Sequence, residues 1–181
     1  MAFETGQGLA ADPARAALHY GAACASEHAR ACNNLGVLLH EGRGVTADPA
    51  AAVGRFERAC VLGDHEGCFN LALALEEGQG RSADPPAARA LFGQACAAGH
   101  RDACVNHAVM ALAGRGGAKD ISAAAASFDR ACRLDDLPAC YNLGVIARAA
   151  GHRDIAHAAL AKACAGGVAR ACEDPPRSPT P

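Results

Sequence analysis

Apolar and small residues recur in the chain at the spacing of one face of an α-helix. We number each candidate helix, called helix A, so that a cysteine is its fourth residue; the seventh, eighth and eleventh positions then share a face. These positions hold Leu35/Gly36/Leu39, Leu71/Ala72/Leu75, His107/Ala108/Ala111 and Leu143/Gly144/Ala147. We expect this face to form the core, with small residues where a second helix, helix B, approaches closely.

Glycines and Asp-Pro pairs mark where these helices end and where their partners begin. The pattern predicts helix A at 29–41, 65–77, 101–113 and 137–149. The first three are followed by glycine-rich loops, since glycine accepts the backbone angles of a helix C-terminus. Helix B then ends near residues 61–63, 98, 134 and 165. We expect its N-terminal caps at Asp48-Pro49, Asp84-Pro85, Asp120 and Asp154.

The cysteines follow the same repeat. Ten of them form five pairs, and successive pairs advance by 36, 36, 36 and 32 residues. A fixed period of this length predicts a solenoid of stacked two-helix units, in which each unit contacts its neighbours. The predicted repeats are 29–64, 65–100, 101–136 and 137–168.

The two ends of the chain differ from the repeats. Residues 4–13 match the loops between helices A and B, so we expect the chain to begin at the end of a missing helix and to continue with an orphan helix at 12–24. The tail 173–181 is proline-rich without apolar periodicity, which predicts disorder. We interpret residues 1–172 as a single repeat domain.

Composition and charge limit which compartments and which classes of partner we expect. A net charge of -2 and a pI near 6.4 give no reason to expect nucleic acid, and no apolar run reaches the roughly 18 residues of a membrane span. The first residues lack the features of a signal peptide, whereas paired cysteines are typical of oxidising compartments. We therefore expect a mature or trimmed form of a secreted or periplasmic protein.

Four motifs recur together: Asn-Leu-Gly, Gly-x-Gly, Asp-Pro and Phe-x-x-Ala-Cys. In this combination the chain resembles Sel1-like repeats, which are relatives of the tetratricopeptide repeat. The Cys-x7-Cys spacing resembles, more narrowly, the secreted cysteine-rich Sel1 proteins of Helicobacter. The match extends from about Gly6 to Cys172. The resemblance implies an all-α fold, a right-handed superhelical solenoid with helix A lining its concave face.

The resemblance also implies one disulfide within each cysteine pair. A short turn between the helix that the first cysteine closes and the helix that the second opens supports this pairing, and each bridge would contribute roughly 2.5 kcal/mol. Zinc sites shared by two pairs are the alternative, but pairs one unit apart lie about 10 Å from each other. The expected bridges are Cys24–Cys32, Cys60–Cys68, Cys96–Cys104, Cys132–Cys140 and Cys164–Cys172.

We expect recognition on the other stripe of helix A, which faces the groove in tetratricopeptide relatives. Its apolar members predict a contact surface: Phe69, Leu73, Val105, Val109, Tyr141 and Val145. Asparagine recurs beside them at Asn34, Asn70, Asn106 and Asn142. An amide can bond both groups of a ligand's peptide unit, but it can equally bond a neighbouring helix and only build the solenoid. Both interpretations stay open.

Histidines and acidic residues rank lower. We interpret His107, at a core position that is leucine in the other units, as a buried histidine with a structural partner rather than a ligand or catalyst. Three histidines in the inter-unit turns are expected to be exposed: His28, His65 and His100. Glu41, Glu76 and Glu77 lie near one rim of the stripe and favour a basic ligand end, although such residues are often only solvated.

These features predict a monomeric scaffold that binds a protein or an extended peptide, without cofactor, metal or catalytic residues. No serine has a lysine three residues on, and there is no Cys-x-x-Cys for disulfide exchange. Hydrolysis or binding of β-lactams, associated with Helicobacter relatives, is the enzymatic alternative and rests on resemblance alone. A third alternative is an immunity or inhibitor protein that neutralises a secreted effector.

Overall fold

The computed structural model describes residues 12–173, and all regular structure in that range is helical. The helices are α1 (Pro13–Ala25), α2 (Ala29–Glu41), α3 (Pro49–Val61), α4 (His65–Glu77), α5 (Pro85–Ala97), α6 (Arg101–Ala113), α7 (Ile121–Arg133), α8 (Leu137–Ala149), α9 (Arg153–Ala165) and α10 (Ala169–Glu173). Helices A and B alternate in antiparallel pairs. The all-α fold with the repeated helix pairs of a disulfide-stapled solenoid is therefore confirmed.

The chain separates into two compact units, residues 1–95 and 96–181, with the boundary inside α5. The first unit contains α1 to α4 and most of α5, and the second contains α6 to α10. The single domain at 1–172 stays a prediction. The expected helix end before residue 12 and the disorder of residues 174–181 concern residues outside the described part of the chain.

Two predicted boundaries are wrong. Asp154 does not cap the last helix B, because α9 already begins at Arg153 with His152 as its N-cap, and Asp154 lies in the first turn. The loop before α9 is too short for the Asp-Pro geometry of the other units. Glu173, assigned to the tail, is the last residue of α10.

The first three loops from helix A to helix B each end one helix with glycine and start the next with aspartate. Gly42, Gly78 and Gly114 adopt the left-handed conformation directly after α2, α4 and α6. The carboxylates of Asp48 and Asp120 accept hydrogen bonds from Ala51 N and Ala123 N at 2.9 and 2.8 Å. The caps predicted at these aspartates are confirmed, and they fix where helix B starts.

The turns from helix B to the next helix A contain only three residues. After α3, the amide of Asp64 bonds to Ala59 O at 2.9 Å and that of Gly63 bonds to Cys60 O at 3.0 Å, the paired bonds of a Schellman motif. All five predicted disulfides are present across such turns, with Cα atoms 4.5–4.9 Å apart. We call each turn with its disulfide a clasp. Cys68, Cys104 and Cys140, the second cysteines of three clasps, have no exposed surface.

The core within a helix pair is built from one large and one small residue. Phe56 of α3 is 4% exposed and lies over Gly36 of α2, where a Cβ atom would come within 2.6 Å of its ring. Leu160 of α9 approaches Gly144 of α8 in the same way. The small residues expected where helix B approaches helix A therefore have a steric cause, because no larger side chain fits there.

Acidic residues replace glycine at the left-handed position of two clasps. Glu27 and Asp135 have φ values of 64° and 63°, where Gly63 and Gly99 occupy the same place in other clasps. Each acid pairs with a base of the following helix B: Arg58 with Glu27 at 2.5 Å and Lys162 with Asp135 at 2.8 Å. The ammonium group of Lys162 lowers the pKa of the Asp135 carboxyl. These exposed ion pairs offset part of the backbone strain.

Gly80, like Gly44 in the preceding loop, combines a left-handed backbone with close packing, which makes it more sensitive to substitution than a glycine with open space around it. Its φ is 71°, and a Cβ atom would lie 2.2 Å from the carbonyl oxygen of Pro49 at the start of α3. We expect Gly80→Ala to lower the free energy of unfolding by about 1 kcal/mol through strain and by about 1–3 kcal/mol more through overlap. Gly63→Ala is the matched control, because Gly63 has φ 89° and open space around it. Equal losses in urea denaturation would contradict the packing argument.

Candidate functional site

In the first unit, the predicted stripes of α2 and α4 line a groove of about 410 Å³. Val37 and Leu73 form its apolar centre, and both are half-buried. Three carboxylates lie along its length, on Glu41, Glu66 and Glu77, and Gln79 reaches it from the loop after α4. We call this surface the first-unit groove. It combines apolar contact area with polar groups, as ligand-binding clefts do.

Two asparagines connect the helices inside this groove. Asn70 Nδ2 donates to Asn33 Oδ1 at 2.8 Å, and Asn33 is only 4% exposed. Asn70 therefore has a structural role, as one of the two sequence interpretations anticipated. Among residues 12–173 the two amide groups make this one hydrogen bond. The Asn33 amino group can therefore still donate a hydrogen bond, and the Asn70 carbonyl group can still accept one.

The electrostatics of the first-unit groove are negative. Among residues 12–173 no lysine or arginine lines it, although His40 does, Arg43 contacts Glu41 at the rim and Gln79 donates to Glu77. Near the start of α4, burial raises the pKa of the Asp64 carboxyl and the charge of Glu66 adds to this, against the lowering effect of the Glu66 backbone amide. Its Oδ2 atom is buried without a hydrogen-bond partner. Negative charge is thus concentrated beside α4.

In the second unit, the corresponding stripe lies on α6 and α8. Asn106 and Asn142 are half-buried, and the described residues offer neither amide a hydrogen bond. The apolar members of the predicted site differ in exposure: Val109 is 41% exposed, while the others are half-buried, namely Val105, Tyr141 and Val145. Val105 and Tyr141 also pack against core clusters. The stripe is therefore an apolar surface with amides, partly shared with the core.

Asn34 and Phe69 complete the predicted set in the first unit. Asn34 is half-buried like Asn106, and among residues 12–173 its amide likewise has no hydrogen bond. The ring of Phe69 packs against buried Phe92 with centroids 5.8 Å apart, so much of its surface belongs to the core. Phe69 contributes a half-exposed edge to the stripe.

The structure gives His107 a buried partner. Its Nδ1 atom lies 2.8 Å from the hydroxyl of Ser127 on α7, and Ser127 is 6% exposed. Short sequence motifs do not reveal this serine-histidine contact, because the two residues are 20 positions apart in the chain. Burial keeps the hydroxyl away from any substrate, so the contact supports a structural partner for His107, but His107 itself is half-buried and not buried as predicted.

The turn histidines follow the prediction at two of three positions. His28 and His65 are exposed. The expectation for His100 is wrong: it is half-buried, because its Nδ1 atom accepts the amide hydrogen of Ala103 at 3.2 Å and caps α6. A histidine here replaces the aspartate that caps α8, Asp136.

Several lining residues of the groove were not predicted as site residues, and Gln79 and Asn33 show why. Gln79 lies between Gly78 and Gly80 in a loop, and a numbering confined to helix A cannot include it. Asn33 occupies the position of Phe69, and its amide in an otherwise apolar set is the signal that identifies it.

Two other features, a metal site and a membrane-spanning helix, are not found among the described residues. Within 12–173, no three histidine, cysteine, aspartate or glutamate side chains converge as metal ligands would. Over the same range, no helix combines the length and the apolar character needed to cross a bilayer.

The clasped helix pairs place this chain in a known family of repeat proteins. The family model of the Sel1 repeat matches residues 1–28, 29–64, 65–100 and 101–136. The chain therefore belongs to the Sel1 repeat family. The helix pair α8–α9 lies beyond the matched range but repeats the same arrangement. Curated protein sequences give no significant match.

Three solved structures resemble the chain. A Sel1 repeat protein from Oxalobacter formigenes is 26% identical over 67% of this chain and 50% of its own, with a TM-score of 0.65. A protective antigen of uropathogenic Escherichia coli strains, 22% identical over 94% of this chain and 45% of its own at a TM-score of 0.52, shares the fold. Cysteine-rich protein B of Helicobacter pylori is 25% identical over 72% of this chain and 93% of its own, with a TM-score of 0.58. The chain spans about half the length of the first two.

Sel1 repeat proteins are generally protein-interaction scaffolds, and the fold is typically non-enzymatic. The five disulfides indicate an exported protein, because such bonds persist in oxidising compartments.

The hydrogen bond between Asn33 and Asn70 predicts a measurable coupling. Asn70→Ala should lower the free energy of unfolding by about 1–3 kcal/mol, because it leaves the buried Asn33 carbonyl without its partner. In a double-mutant cycle with Asn33→Ala, the double variant should lose about 1 kcal/mol less than the sum of the losses of the two single variants. Urea denaturation of the four proteins measures this coupling, and additive losses would show that the bond contributes nothing.

Proposed function

We propose that the protein is an exported binding module that holds an extended peptide segment of a partner protein against its helix-A stripes. The observation that carries the proposal is the state of three asparagine amides: Asn34, Asn106 and Asn142 are half-buried and make no hydrogen bond within residues 12–173. These amides still reach solvent, so a ligand's peptide group would replace their hydrogen bonds to water with direct ones, at a net gain of about 0.5–1.5 kcal/mol for each bond.

The apolar neighbours support the same role. Leu73 in the first unit and Val109 and Val145 in the second keep apolar surface in solvent beside the amides. Burying such surface against a ligand side chain stabilises a complex by roughly 25 cal/mol for each square ångström. Amides that bond the main chain and apolar residues that take alternate side chains are the two components of extended-peptide recognition.

Spacing within each unit suits an extended chain. Packed helices lie about 8–10 Å apart, which is close to the length of three extended residues at about 3.3 Å each. The two asparagines of one unit would then bond peptide residues that are three positions apart. These pairs are Asn34 and Asn70 in the first unit and Asn106 and Asn142 in the second. Secretion or transfer to the periplasm would bring the module to its partner with its disulfides formed.

Asn106→Ala and Asn142→Ala test the proposal, because these amides stabilise no other described group. Each variant should change the free energy of unfolding by less than about 0.5 kcal/mol. Each should weaken the binding of a peptide by about fivefold, the loss of roughly 1 kcal/mol for one hydrogen bond. Peptides selected from a displayed random library against the oxidised protein would serve as ligands in fluorescence anisotropy.

Gln94→Ala is the matched control, because it removes an exposed amide from α5, outside the stripes. It should leave peptide affinity unchanged. Losses of stability in the Asn106 and Asn142 variants that equal the losses of affinity would instead assign these residues to the scaffold. Selected peptides that bind every variant equally would contradict the proposal.

A further inference from the structure

We propose that the first-unit groove selects a basic segment, with lysine or arginine side chains placed against Glu41, Glu66 and Glu77 and an apolar side chain between them. The inference rests on the proposed function and names the chemistry of the partner that this unit recognises. Its occupant is an extended stretch of another protein.

The distribution of charge is the first argument. Three carboxylates and one histidine, His40, line the groove, and within residues 12–173 no lysine or arginine does. Glu66 and Glu77 lie near opposite ends of α4, about 16 Å apart at 1.5 Å per residue. That distance corresponds to about five residues of extended chain. A segment with basic residues on both sides of an apolar one therefore matches the carboxylates at the ends and Leu73 in the centre.

The separation of the carboxylates also decides between kinds of cation. A metal ion needs several ligands within about 2–2.6 Å, and the described residues bring no three acidic, histidine or cysteine side chains together in that way. Separate cationic side chains have no such requirement, since each needs only one carboxylate. The groove consequently suits a peptide with distributed charge better than a bound metal ion.

The second argument is the amide of Asn33. This residue is 4% exposed and lines the groove, and its one hydrogen bond within residues 12–173 uses the carbonyl oxygen and leaves the amino group without a partner. Among residues 12–173 the buried side-chain polar atom without a partner is Asp64 Oδ2, so the Asn33 amino group still reaches solvent, and a ligand's backbone carbonyl would replace water as its acceptor. Asn70 Oδ1, on the neighbouring helix, would accept the corresponding backbone N–H.

Asn33 also makes the first unit distinct. The equivalent positions hold Phe69, Val105 and Tyr141, which have no amide. The corresponding stripe of the second unit carries neither this pair nor three carboxylates: Asn106, Val109, Asn142 and Val145 are neutral. We therefore assign the preference for basic segments to the first unit alone.

Arg43 of the protein itself already pairs with one of the three carboxylates, at the place proposed for a basic side chain of the ligand. Arg43 contacts Glu41 at the rim, and both side chains are 46% exposed. Exposed ion pairs of this kind are worth little and exchange readily. A ligand lysine or arginine would compete with Arg43 for this carboxylate, so removing Arg43 should improve binding.

Three labelled peptides of equal length test the inference, with lysine, glutamine or glutamate on both sides of one leucine. Fluorescence anisotropy on the oxidised protein should show the lysine peptide binding about tenfold more tightly than the glutamine peptide, from two exposed ion pairs. The glutamate peptide should bind most weakly. The differences should shrink as salt is raised, because exposed charges are screened.

Three variants locate the effect. Glu41→Gln with Glu77→Gln should reduce the preference for lysine from about tenfold to about threefold, because Glu66 still pairs with one lysine, and should leave the affinity for the glutamine peptide unchanged. Glu27→Gln with Glu57→Gln removes the same charge from exposed residues outside the groove and should preserve the preference. Arg43→Ala should tighten binding of the lysine peptide by about twofold.

Equal affinity for all three peptides would overturn the inference and leave the proposed function standing. Equal loss of preference in the two double variants would also overturn it, since the net charge of the protein would then explain the preference. If no peptide of the three binds, the inference fails, and the library selection described above decides separately whether the proposed function fails with it.

Discussion

The rest of the structure depends on the clasp between one helix B and the next helix A. In the clasp of Cys60 and Cys68, a three-residue turn, a Schellman motif and a disulfide act on the same short segment. A repeat protein is held together by contacts between neighbouring units, and the clasp fixes that junction covalently. Because Cys68 is fully buried, the bond is also part of the core. The position of α4 beside α2, and with it the first-unit groove, follows from this constraint.

The stripe and the scaffold share residues in this protein. Phe69 packs against buried Phe92 although it belongs to the stripe, and Asn70 lines the groove while it donates a hydrogen bond to Asn33. Small cores gain little from each residue, so such double use lets short helices both pack and recognise. It also explains why the stripe is half-buried rather than fully exposed. Val109 is the most exposed apolar member of the stripe, at 41%.

Much of the fold could be predicted from local signals, because each repeat contains its own start and stop residues. Asp48 and Gly42 specify a cap and a helix end whatever surrounds them, and the cysteine spacing specifies the clasps. Predictions failed where the repeat changes, as at Asp154, or where a histidine takes over a capping role, as at His100. The groove was predicted only in part, because Gln79 comes from a loop and Asn33 reaches Asn70 through tertiary packing that periodicity does not encode.

Amide hydrogen exchange, comparing the oxidised protein with a Cys60→Ser and Cys68→Ser variant, tests the central claim most directly. Local opening reports the stability of each segment separately. If the clasp fixes its junction, the variant should lose protection chiefly in α3 and α4, the helices that it joins, and much less in α6 to α9. Unchanged protection in α3 and α4, or an equal loss in every helix, would contradict the account.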